Sequence, residues 1–125
     1  GNKTAEDPNS QTAVTEATIA LDQLKLVLFR NYARIVEAAK TGIQLGLEER
    51  LLQRAQASYV PKLTGFHASE LLRATAASGT FRSNPIERVF RDIHQGRTHI
   101  ANNTDAYVRA YGSHVLGIPN QEPFV

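Results

Sequence analysis

The sequence predicts an all-α fold, an up-and-down bundle of four helices joined by short connections. Two long stretches, residues 12–41 and 47–78, place apolar side chains at intervals of three and four, the spacing of one helix face. Start and stop signals divide the rest into two shorter helices. Nowhere do apolar and polar residues alternate with the period of two that marks a half-buried strand.

The opening GNKTAEDPNSQT is polar, holds a proline and lacks apolar periodicity, so residues 1–11 are expected to form a disordered lead-in or linker. The chain starts at glycine and contains no methionine, which is compatible with a segment of a longer polypeptide. Over 12–41, Val14, Ala17, Leu21, Leu24, Leu28, Ile35 and Ala39 make one apolar helix face. Gly42 stops that helix, and Leu47-Glu48-Glu49 begins the next with acids near its positive end. The second helix is expected over 47–78, with Leu51, Leu52, Ala55, Tyr59, Leu63, Phe66, Leu71 and Ala74 buried. Pro61 lacks a backbone donor and clashes one turn back, which predicts a kink near it.

SGTFRSNP, residues 78–85, is a loop. Asn84-Pro85-Ile86-Glu87 then supplies a capping side chain, a proline at the first helical position and a glutamate able to reach back to the cap. The third helix is expected over 85–102, with Ile86, Val89, Phe90, Ile93 and Ile100 as its apolar stripe. Thr104-Asp105 opens a fourth, over 105–116, whose inner face is Tyr107 or Val108, Tyr111 and Val115. Gly117 suits a left-handed C-cap, Pro119 prevents continuation, and residues 120–125 are a tail. The bundle therefore occupies 12–119.

Composition narrows the function classes. The chain has 125 residues, 42% hydrophobic and 21% charged, the balance of one globular domain. Its net charge is +2, with Lys and Arg scattered among acids, so no nucleic-acid partner is indicated. Without cysteine there is neither a disulfide framework nor a thiolate metal site. No run approaches the roughly 18 apolar residues of a membrane span, and no signal peptide opens the chain, so a cytoplasmic location is expected.

The chemistry concentrates in RDIHQGRTHIANN, residues 91–103. On a helical wheel with Ile86 at zero, Arg97 falls at about 20°, inside the apolar stripe, and His94 near 80° on its flank. Asp92 and His99 gather near about 220–240°, with Arg88 beside them, on the opposite side. That outer group reads most simply as a solvated surface with weak ion pairs. Arg97 differs, because a guanidinium on an apolar stripe needs a partner or a route to water. His94 and His99 are five apart, off the i,i+4 spacing of a shared metal, and no metal site is expected. No nucleophile elbow, Walker loop or isolated carboxylate pair is present.

The stretch SGTFRSNPIERVFRDIHQGRTHIANNTDAYVRAYGSHVLGIP resembles the C-terminal end of flavin-dependent monooxygenases of the acyl-CoA dehydrogenase superfamily, the oxygenase components of two-component aromatic hydroxylases. The resemblance spans residues 12–119 and is carried by S-G, NP-hydrophobic-x-R-x-x-RD-x-H, R-x-H-x-x-N and YG-x-x-x-LG. It implies a C-terminal four-helix domain of a longer enzyme that uses reduced flavin, FMN or FAD, received from a partner flavin reductase. It also implies a homo-oligomer, typically a tetramer, and a small-molecule aromatic or related substrate. A histidine of this region near the flavin edge is the implied catalytic group, His99 first and His94 second, since an imidazole accepts, donates or shares a proton near neutrality. Asn102 and Arg97 are the implied flavin contacts, with Ser78, Gly79 and Thr80 as the loop approaching the flavin phosphates of a neighbouring subunit. This chain alone is expected to bind no flavin. Acyl-CoA dehydrogenases commonly carry a glutamate nine residues after the RD arginine; here that position is Ile100, which disfavours the alternative of a dehydrogenase or related flavin oxidase. A stand-alone helical oligomerisation module without catalysis is the third reading.

Overall fold

In the computed structural model, residues 3–75 and 84–123 are described, and among them every regular element is helical. The elements are α1 (Lys3–Glu6), α2 (Pro8–Thr41), α3 (Leu47–Ala74), α4 (Pro85–Arg97), a short 3-10 turn (Ile100–Asn102) and α5 (Thr104–Val115). The four long helices form the all-α bundle, with α3 as the neighbour that α2, α4 and α5 share. No described helix is long and apolar enough to cross a membrane.

The segment expected to be a disordered lead-in is mostly helical. Asp7 caps α2, its carboxylate accepting from the Asn9 N–H at 3.3 Å, and Pro8 occupies the first turn where its missing N–H is harmless. Ser10, 8% exposed, donates to the Ala74 carbonyl at 3.2 Å and so ties the start of α2 to the end of α3. The antiparallel turn between them rests on Gly42, whose φ of +70° puts it in the left-handed region; the Ile43 N–H closes onto the Ala38 carbonyl at 3.0 Å.

α3 runs uninterrupted through Pro61, and the Thr64 hydroxyl donates to the Val60 carbonyl at 2.7 Å. It ends at Ala74, with Thr75 as cap. α4 stops at Arg97 rather than at 102. Its last carbonyls accept the tightened backbone bonds of a closing turn, Thr98 N–H on Gln95 O at 3.1 Å and His99 N–H on Gly96 O at 3.3 Å. They accept side-chain bonds besides, Thr98 Oγ1 on Gln95 O at 2.7 Å and Asn102 Nδ2 on Gly96 O at 2.8 Å, so the chain turns where a longer helix was expected.

The core is built from smaller side chains than the periodicity suggested. Ala13 and Ala38 of α2, Leu51, Ala55 and Ala68 of α3, and Tyr107 and Ala110 of α5 are buried. Small residues at the seams let helix axes approach closely, which displaces bulkier neighbours to the flanks. Val14, Leu21, Ile35, Phe66, Val89, Ile100 and Val115, expected inside, are exposed. Polar register pins cross the α2–α3 seam: buried Asn31 donates to Gln56 Oε1 at 2.8 Å, and Arg34 pairs with Glu49 at 2.8 Å.

Candidate functional site

The site is the end of α4 and the turn that follows it. Asn84 caps α4 by accepting the Ile86 N–H at 3.0 Å, with Pro85 in the first turn. Glu87 turns to Arg91, one helical turn on, at 2.8 Å instead of reaching back to the cap. Arg88 and Asp92 form an exposed pair at 3.8 Å, a contact of small energetic weight. Ile86, Phe90 and Ile93 are half-buried against the bundle.

His94 lies in the seam between α3 and α4. Its Nε2 is 3.1 Å from Ser69 Oγ, and its ring leans on Phe90 with centroids 4.3 Å apart. Ser69 Oγ lies 3.0 Å from the Gly65 carbonyl, the back-bond common for a helical serine. With the hydroxyl proton given to that carbonyl, the imidazole donates through Nε2–H. Arg97 stands where the wheel put it, beside α3, and Gly65 explains how. The Arg97 stem passes the glycine, Cδ lying 3.5 Å from where a Cβ would sit, while the residue as a whole is exposed. The stem lies against α3 beside Gly65 while the exposed residue keeps its guanidinium within reach of water.

His99 does not belong to α4. It has extended backbone (φ −64°, ψ 137°), is exposed, and caps the 3-10 turn: Nδ1 accepts the Ala101 N–H at 3.1 Å. The outer-face grouping of His99 with Asp92 and Arg88 is thereby corrected, because helical phase does not extend past Arg97. Asn102 is half-buried and clips the turn back to α4, so its amide nitrogen already has a partner. Ser78, Gly79 and Thr80 lie outside the described residues.

Three residues that sequence reasoning did not place at the site build this corner. Arg54 donates through Nη2 to the Ala101 carbonyl, and its guanidinium carbon sits 3.9 Å from the centre of the Tyr107 ring. Buried Thr104 donates to the Ser58 carbonyl at 2.8 Å, fastening the start of α5 to α3. Ser69 holds His94. The available signal was Arg54 itself, a cation next to Ala55 on the inner face of α3, and it was not weighed. Among the described residues no three His, Asp or Glu side chains converge as a metal site requires. An apolar cleft between α2, α3 and α5, lined by Leu24, Val27, Leu52, Tyr59, Leu63 and Tyr111 among others, includes neither histidine.

Residues 1–104 match the family described as acyl-CoA dehydrogenase, C-terminal domain. The oxygenase subunit HsaA of a flavin-dependent monooxygenase from Mycobacterium tuberculosis is 31% identical over 128 residues, covering 100% of this chain and 32% of that protein. The oxygenase component of an FADH(2)-dependent resorcinol hydroxylase from Rhizobium sp. is 29% identical, covering 94% of this chain and 30% of its own length. The crystal structure of 3-HSA hydroxylase from Rhodococcus sp. RHA1 superposes with a TM-score of 0.89 at 25% identity, over 95% of this chain and 32% of that one. XiaF from Streptomyces sp., solved with FADH2 and glycerol, shares the fold at a TM-score of 0.88 and 21% identity, over 98% and 31%. The chain thus spans about a third of the length of these relatives.

Proposed function

The chain belongs to the acyl-CoA dehydrogenase C-terminal domain family, and from that premise we propose that it is the C-terminal helical domain of a reduced-flavin-dependent monooxygenase hydroxylating an aromatic or related small molecule. The observation that carries the reading is the exposed imidazole of His99, held through Nδ1 in a turn that Arg54, Asn102 and Thr104 tie down. It occurs in a chain similar along its whole length to a flavin-dependent oxygenase subunit.

The residues present fit one edge of a flavin and not its enclosure. His99 offers a ring nitrogen to solvent, Arg97 offers a cation beside it in sequence, and the Asn102 carbonyl oxygen is left after its amide nitrogen has bonded Gly96. Bound reduced flavin supplies oxygen activation, with one oxygen atom passing to the substrate and the other leaving as water. In this reading His99 hydrogen-bonds at the reacting edge and handles a proton there, with His94 second. Arg97 contributes charge toward flavin, Ser78, Gly79 and Thr80 serve its phosphates in a neighbouring subunit, and other domains and subunits close the site. Ile100, apolar and exposed where a dehydrogenase would carry its base, provides no group for α-proton removal.

A partner reductase delivers the reduced FMN or FAD, as the designations "oxygenase subunit" and "oxygenase component" of the relatives suggest, and the proposed location is the cytoplasm. Self-assembly, as the tetramer that the family resemblance implies, is the arrangement proposed, and an exposed apolar face on α2 supports association of copies. Ile19, Leu26, Phe29 and Val36 lie roughly opposite Asn31 on that helix and are each at least half exposed, a second apolar stripe on a helix already packed on α3. The test supplies the polypeptide carrying this domain with reduced FMN or FAD, oxygen and a panel of phenols. The expected result is hydroxylated product formed at the expense of hydrogen peroxide; reduction of its bound flavin by an acyl-CoA, with no hydroxylation, would replace this reading with a dehydrogenase.

A further inference from the structure

We propose that Arg54 is a positioning residue for His99, holding the neutral imidazole in the tautomer whose proton is on Nε2. The inference rests on the proposed role of His99 but begins from the unusual surroundings of Arg54. This side chain is half-buried, and no carboxylate among the described residues pairs with it. Its charge is met by a backbone carbonyl and an aromatic face, Ala101 O and the Tyr107 ring, the latter only 4% exposed. A guanidinium taken out of water without a counter-ion carries a desolvation penalty that a surface arginine avoids, and a cation over an aromatic ring offsets only part of it. What the arrangement achieves is to fix one plane of donors on one carbonyl.

That carbonyl belongs to the residue whose N–H reaches Nδ1 of His99. A backbone N–H can only donate, so Nδ1 must present its lone pair, and the one proton of the neutral ring is then on Nε2. The turn is tied on each side, by Asn102 to Gly96 O and by Thr104 to Ser58 O, but Arg54 alone among these bonds Ala101 itself. Loss of the Arg54 contact leaves Ala101 free to swing, and with it the partner that selects the tautomer. A neutral His99 therefore meets a reacting oxygen as a hydrogen-bond donor, with its lone pair turned inward.

The test is a long-range nitrogen–proton correlation spectrum of the chain labelled with 15N-histidine, recorded without flavin or substrate. Wild type should show the acceptor-type shift at Nδ1 and the protonated shift at Nε2 of His99. Arg54→Met keeps the stem over Tyr107 while removing the donors, and replacing a buried charge with an apolar group of similar volume is commonly tolerated. In that variant the His99 signals should move to a mixture of tautomers, and exchange of the Ala101 amide should speed up about tenfold or more. Arg54→Lys, which keeps a charge and a donor, should fall between the two. A wild-type His99 protonated on Nδ1, or a folded Arg54→Met or Arg54→Lys chain with unchanged tautomer and Ala101 exchange, overturns the inference. In the complete enzyme, a shifted tautomer with unchanged hydroxylation leaves Arg54 as the positioning residue and removes His99 from the proposed chemistry instead.

Discussion

His94 and His99 stand five residues apart, yet the chain holds the two rings by opposite nitrogens. At His94, inside the α3–α4 seam, Nε2 lies 3.1 Å from Ser69 Oγ and the ring lies against Phe90. At His99, beyond the end of α4, the inward bond is made by Nδ1, so Nε2–H is left for whatever approaches from outside. The same side chain is a fastener in one place and a presented donor in the other. Only the end of the helix at Arg97 separates the two outcomes.

Replacing each histidine by alanine should break that symmetry most strongly. His99→Ala should lower product formed per flavin oxidised by about a hundredfold, the usual scale for a lost proton-handling group, with little change in thermal stability of the chain. His94→Ala should instead lower unfolding free energy by about 1–3 kcal/mol, because Ser69 loses one of its two partners and Phe90 its contact, with coupling largely kept. Product and peroxide yields together with denaturant melts read both; a coupled His99→Ala enzyme beside an uncoupled, stable His94→Ala enzyme would exchange the roles.

Thr104→Val tests the other tie of the turn. The isosteric change removes the buried hydroxyl bond to Ser58 O, and the chain should lose about 1–2 kcal/mol of unfolding free energy. If Arg54 is the residue that selects the His99 tautomer, the nitrogen shifts of His99 should remain those of wild type in this variant. A tautomer that follows Thr104 as readily as Arg54 would mean that the whole turn, and not the Ala101 contact, sets the ring.

The sequence made the architecture legible because helix grammar is local. Asn84-Pro85 reads as a start, and Asp7-Pro8 has the same order of capping side chain and proline, hidden by the polar composition around it. The site was legible only as far as α4 is a helix. Arg97 came out on the side that faces α3, but its neighbour there, Gly65, belongs to another helix and has no periodic signature. His99 was misplaced because the wheel was carried past a stop made by side chains, Thr98 and Asn102, which propensity alone does not reveal. Large apolar residues were expected inside because burial was judged within one helix. Alanines at the seams took those places, leaving Leu21 and Ile35 on faces that one copy of the chain does not cover.

Ser69→Ala sharpens the contrast at smaller cost, about 0.5–1.5 kcal/mol, since a hydroxyl is lost and the imidazole can turn toward water. Only the His94 signals in the nitrogen spectrum should change.

Gly65→Ala should be the mildest change, and its sign is informative. A Cβ there would stand 3.5 Å from Arg97 Cδ, 3.6 Å from Arg97 Nη1 and 3.7 Å from His94 Cε1, all ordinary contact distances. Glycine inside a helix is disfavoured relative to alanine by about 1 kcal/mol, so the variant should gain roughly 0.5–1 kcal/mol, read as a small rise in Tm. Such a gain means that the slot beside His94 is not a steric clamp, and the ring is oriented by its bond to Ser69. A loss of more than about 1 kcal/mol would mean instead that His94 and Arg97 fill the seam too tightly for one methyl group, and that packing fixes the buried histidine.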